Sequence, residues 1–162
     1  MNKKNYYYIF FAIAAIGAFL FMKSDSDSSS KYDEWFIKYG NMYGVDWKML
    51  KAIAVNESDL GENPRVKAGL VSSDGLTYGL MQMKFSTAKY YISGLVESDF
   101  RTNFEKQIQA AALFFADLKK KFNGDIHKMV ISYNQGETNT KKGLDFTGAY
   151  YQNYLDAYEE LS

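Results

Sequence analysis

Two of the most versatile catalytic side chains are nearly missing from this sequence. Its 162 residues include no cysteine and one histidine, His127. A thiolate nucleophile, a zinc-thiolate site, a disulfide framework and a multi-histidine metal site are therefore excluded. Chemistry must rest on carboxylates, hydroxyls and amides, and no metal or cofactor is expected. Glu57 is the carboxylate whose place is hardest to explain by packing. Trp47, Leu50, Ile53 and Ala54 share one helical face, and Glu57 follows Ile53 and Ala54 at helical spacing, so an acid continues an apolar stripe. There a carboxylate loses hydration and, near a helix C-terminus, meets the negative end of the dipole. Both effects favour its protonated form, which general acid catalysis near neutral pH requires. The competing reading ends the helix at Asn56 and turns Glu57 to water; position alone leaves both open. His127 lies off the apolar face of its own helix and reads as solvent-exposed.

Three segments must position or deliver these groups. Residues 1–22 read as a membrane anchor: Tyr6 to Met22 is an uncharged run of 17 residues, long enough to span about 25 Å as a helix. Lys3 and Lys4 before it and Asp25 and Asp27 after it orient the N-terminus to the cytoplasm and the domain to the periplasmic or outer side. A cleaved signal peptide is the alternative, but no small-x-small site follows the apolar run. Residues 23–31 (KSDSDSSSK) form a polar linker. Residues 32–162 form one domain, predicted to be mainly helical with one small β-hairpin at Asp74-Gly75. Helices are expected up to Tyr43 before Gly44, from an Asp46 cap through the Glu57 stripe, from Ser86 or Thr87 to Ser93, from Phe104 to Phe122, after Asp125, and from Ala149 to Leu161. Gly61 to Tyr78, which holds the single proline, argues against helix. Beyond residue 22 there are 17 basic and 19 acidic residues, so nucleic acid is a poor partner.

Three further segments combine with Glu57 into a resemblance. Ala54-Val55-Asn56-Glu57-Ser58 resembles the Glu-Ser motif of lytic transglycosylases of the soluble-lytic-transglycosylase type, which share a lysozyme-like fold with goose-type lysozymes. Gly79-Leu80-Met81-Gln82 matches that family's Gly-Leu-Met-Gln segment. Ser132-Tyr133-Asn134-Gln135-Gly136 resembles its Ala-Tyr-Asn-Ala-Gly, and Tyr150, Tyr154, Leu155 and Tyr158 resemble its closing tyrosine helix. The similarity runs from about Trp47 to Leu161 in family order. Each motif is weak alone and specific in combination. Departures occur around Ser73, where the family's glycine falls one place early, at Gly75, and Thr77 replaces an alanine. Gln107 and Ala111 stand where the family has asparagine and glycine, changes expected to affect helix packing rather than chemistry.

The resemblance implies a mainly α, lysozyme-like α+β fold and an enzyme that cleaves the β-1,4 bond between N-acetylmuramic acid and N-acetylglucosamine in peptidoglycan glycan strands. It makes Glu57 the catalytic acid and then base, and the product a 1,6-anhydro sugar. Substrate-binding roles fall to Ser73, Gly79, Met81, Gln82, Tyr133, Asn134 and Tyr150. Gly79 would let the backbone approach a sugar, Met81 would line the cleft floor, and Gln82 would bond the N-acetyl group or nearby backbone. Tyr133 and Tyr150 would hold the Glu57 carboxyl, and Asn134 would fix the sugar or the loop. For the tyrosines, core packing is the competing explanation. A lysozyme-type hydrolase using Asp59, Glu62 or Asp74 to position water, and a non-catalytic wall-binding protein, are the alternatives. Expected settings are a secretion or conjugation apparatus, the cell's own wall, or a virion membrane.

Overall fold

The computed structural model describes residues 32–70, 72 and 75–161. The expected anchor and linker, and Ser73 and Asp74, lie outside the described residues. Among the described residues, no helix is long and apolar enough to cross a membrane.

Helix α1, Asp33–Tyr43, buries Phe36, Tyr39 and Gly40 and stops at Gly44, whose positive φ of 67° closes the last turn. Asp46 then caps α2, Trp47–Ser58, by accepting from the Lys48 amide at 2.9 Å. Lys51 of α2 is buried and paired with Asp33 of α1 at 2.9 Å, a charge neutralised where it leaves water. The helix continues past Asn56, so the reading that turned Glu57 out beyond a finished helix is corrected.

The segment expected to avoid helix contains one short turn, α3, Pro64–Lys67. Pro64 opens it at a position whose N–H needs no partner, and Asn63 caps it through the Arg65 amide. The hairpin also differs from expectation. Its strands are β1, Thr77–Tyr78, and β2, Met83–Lys84, paired Thr77 with Lys84 and Tyr78 with Met83. The connection between these strands is Gly79-Leu80-Met81-Gln82; Asp74 of the expected Asp74-Gly75 turn lies outside the described residues. Both of its ends take positive φ, 65° at Gly79 and 43° at Gln82, which turns the chain sharply enough to reverse it.

Helix α4, Phe85–Tyr91, ends two residues before Ser93, and a short α5, Glu97–Phe100, was not foreseen. The long helix α6, Phe104–Lys121, runs as its periodicity predicts, with Ile108, Ala111, Ala112, Phe115 and Leu118 fully buried. Asp125 caps α7, Ile126–Gln135, through the Lys128 amide. A second unforeseen short helix, α8, Glu137–Lys141, precedes α9, Tyr150–Glu159. Helix α2 packs against α1, α6 and α9, while α7 packs against α6, α8 and α9. This mainly helical arrangement with one two-stranded sheet fits the lysozyme-like expectation. Its core sits around α2 and α6, directly behind Glu57.

Candidate active site

Glu57 stands in the last turn of α2, where the helix leaves the core, and is only partly exposed. Burial lifts its carboxyl to about 7, opposed by the Tyr150 hydroxyl, which donates to Oε1 at 2.5 Å. Tyr150 opens α9, and Asn56 holds that helix start by donating its side-chain amide to the Tyr150 carbonyl at 3.2 Å. Burial and the neighbouring Glu57 charge raise the Tyr150 hydroxyl well above the ordinary phenol range, so it remains a donor. The acid is thus gripped by one hydroxyl and kept partly dry.

Two hollows meet at Glu57. A larger one of about 390 Å³ is lined by Glu57, Gln82, Thr87, Phe114, Tyr133 and Asn134, among others. A smaller one of about 230 Å³ is lined by Glu57, Asn63, Arg65 and Gln82, with Val66, Leu70 and Ser72. Glu57 and Gln82 line both, so the acid faces the middle of a groove with space on either side. Among the described residues lining the two hollows, Glu57 is the single carboxyl group. Asp59 is exposed, and Glu62 is paired with Lys67 on the surface.

The Gly79–Gln82 connection is held by four anchors. Gln107 of α6 is fully buried; its Oε1 accepts from the Leu80 amide at 2.7 Å and its Nε2 donates to the Phe100 carbonyl at 2.8 Å. Ser58, next to Glu57, places its hydroxyl 2.7 Å from the Leu80 carbonyl and accepts from the Gly61 amide. The Tyr133 hydroxyl donates to the Met81 carbonyl at 2.7 Å. Gln82 closes the turn on itself, its Nε2 donating to the Gly79 carbonyl at 2.6 Å while its Oε1 accepts from Thr77 at 3.2 Å.

These contacts revise several expected roles. Gly79 has a structural reason of its own, because an added Cβ would collide with the Gln107 amide. The Met81 side chain is fully buried in the core beneath the groove, so it does not line the groove surface. Burial, with the Glu57 charge adding to it, raises the Tyr133 hydroxyl above the ordinary phenol range, but its bond goes to Met81 rather than to the acid. Its ring stacks on Phe115 at 5.1 Å, so the core-packing and positioning readings hold together. Tyr150 does hold Glu57, Gln82 bonds nearby backbone, and Asn134 is exposed on the groove wall. His127 is half exposed, 3.5 Å from Asp145 and away from the groove.

Residues 34–154 match the family of the transglycosylase SLT domain. The chain belongs to this family. Over 117 residues it is 35% identical to the peptidoglycan transglycosylase gp16 of Escherichia phage T7, a stretch that covers 71% of this chain and 8% of that protein. No solved structure matches at comparable significance. Around the site of this soluble-lytic-transglycosylase-type domain, Asn56, Ser58, Thr77 and Gln107 hold the groove residues, although the motifs assigned them no site role. Ser58 lay inside the Glu-Ser motif. Gln107 gave a readable signal, a polar side chain between Phe104 and Ile108 on the inner face of the long helix.

Proposed function

We propose that this domain is a peptidoglycan lytic transglycosylase, cutting the β-1,4 bond between N-acetylmuramic acid and N-acetylglucosamine with Glu57 as the single acid and base. The observation that carries this reading is Glu57 itself. It is raised to about 7 by burial, held by Tyr150, and is the only described carboxyl group in a groove open on both sides.

The chemistry follows from one carboxyl group. Protonated Glu57 gives its proton to the bridging oxygen as the bond to the muramic C1 breaks and positive charge develops there. The resulting carboxylate then takes the proton from the same sugar's C6 hydroxyl, whose oxygen closes on C1. Atoms balance without water, and the product carries a 1,6-anhydro ring. Because the nucleophile belongs to the substrate, the second carboxylate of an ordinary glycosidase has no task. The substrate N-acetyl group can assist at C1. Tyr150 favours the ionised state that follows proton donation, and so eases the first half of the reaction. Gln82 and Asn134 would bond the amino sugars, as would Ser73.

The same reading takes residues 1–22 as an anchor and 23–31 as a tether, with the domain outside the membrane, on a cell or in a virion. A tether confines cutting to wall within its reach. The relative from phage T7 makes a phage particle one setting to examine. Mass spectrometry of digested peptidoglycan tests the chemistry: anhydro-muropeptides are expected, and products heavier by one water would overturn it. Glu57→Gln is expected to abolish lysis by at least about a thousandfold while keeping the fold, since the amide is nearly isosteric but cannot donate and recover the proton. Full lysis by that variant would point to a different acid.

A further inference from the structure

Gln135 ends α7 on the groove wall, one residue after Asn134, where the resembling motif has alanine. Its side-chain amide is saturated by one neighbouring segment. Nε2 donates to the Leu144 carbonyl at 2.6 Å and to the Thr140 hydroxyl at 3.1 Å, and Oε1 accepts from the Phe146 amide at 2.7 Å. Gripping the carbonyl of one residue and the N–H of the second residue onward, it acts as a strand edge would. From Phe146 the restraint passes along a short turn. The Asp145 carboxylate accepts from the Thr147 amide at 2.9 Å, and the Tyr150 amide donates to the Thr147 carbonyl at 3.1 Å. Tyr150 is the residue whose hydroxyl meets Glu57.

We propose that Gln135 is a positioning residue, clamping residues 144–147 to the end of α7 so that α9 starts where Tyr150 reaches Glu57. Asn56 holds the Tyr150 carbonyl from the α2 side; Gln135 holds the approach to it from α7. An alanine at this position makes none of these bonds, so the clamp is a property of this chain rather than of the motif. The proposal rests on Glu57 being the working acid.

Gln135→Ala suits a helix end at least as well as glutamine, because alanine has the higher helix propensity, so the variant is expected to fold. Hydrogen exchange on the full chain reads the clamp directly. The Phe146 amide should exchange at least about tenfold faster in Gln135→Ala, while amides within α7 keep their protection. The kcat on peptidoglycan should fall about tenfold with KM within about twofold, since the loss lies in the geometry of the acid. In a cycle with Tyr150→Phe, the double variant should be no slower than Tyr150→Phe alone within about twofold, because both act through the same hydroxyl.

The alkaline limb of kcat supplies a signature that loss of stability alone does not move. Glu57 is faced by Tyr150 from α9 and Tyr133 from α7, with Lys84 of β2 lining the larger hollow and Gln82 on the hairpin and Arg65 on α3 lining the smaller one. The Tyr150 bond favours the ionised acid, so weakening it should move the limb to higher pH, part of the way taken by Tyr150→Phe. An unmoved limb, additive losses in the cycle, or an unchanged Phe146 amide overturns the clamp. Absence of lysis in the parent protein, or full lysis by Glu57→Gln, overturns the underlying reading instead, while Phe146 exchange still decides whether the clamp exists.

Discussion

Glu57 shows how one side chain is tuned by two opposing contacts. Burial lifts it from 4.5 to about 7, and the Tyr150 bond restrains that rise. The folded protein therefore holds a proton on Glu57 that the unfolded chain releases between about pH 4.5 and 7. Stability linked to this group is fully present below the unfolded value and is lost as pH rises through the folded one. The loss amounts to about 3 kcal/mol when complete. Glu57→Gln has no such proton to lose, so its melting temperature should exceed the parent's at pH 8, with the difference shrinking toward pH 4. Thermal melts across that range check this, and a constant difference would mean that burial of Glu57 is not what raises it. Lysis by the parent should decline above about pH 7, where the general acid ionises.

At the scale of elements, the working part is the turn between β1 and β2, carried by neighbours rather than by its own two-residue strands. Gln107 is its buried support, meeting the Leu80 amide and the Phe100 carbonyl at once. Gln107→Leu keeps the volume but leaves both backbone groups without partners out of water. The expected loss is about 2 to 4 kcal/mol in denaturant unfolding, and Gln82 should lose its place in the groove. Gly79→Ala should be at least as damaging, because it combines a positive φ of 65° with collision against that same amide. A Gly79→Ala variant of parental stability would show that Gln107 has another position available. From sequence, Gln107 was expected to affect helix packing. Its larger consequence for the site followed from what lies opposite it in space.

For the whole molecule, the separation into an apolar N-terminal run and a folded domain makes its own prediction. On the proposed reading of residues 1–22 as an anchor, the full chain should partition to the membrane fraction and a chain lacking them to the soluble fraction, with equal specific activity on isolated peptidoglycan. Fractionation and a wall-lysis assay on the two forms check both halves. Much of this molecule was legible without coordinates. Helical periodicity marked α1, α2, α6, α7 and α9; Asp46 and Asp125 marked two caps; the apolar stripe singled out Glu57. Those features are local, set by repeat spacing and by backbone groups that need nearby partners. The short helices α3, α5 and α8 and the Gly79–Gln82 turn went unmarked because they are too brief to show a period. Only the tertiary structure decided which tyrosine reaches Glu57, that Tyr133 bonds Met81 instead, that Met81 is buried, and that Gln107 and Gln135 act as braces. Their partners lie up to 93 positions apart in the chain. A side chain's residue type fixes which bonds it can make, but only packing of distant helices fixes which partner it meets.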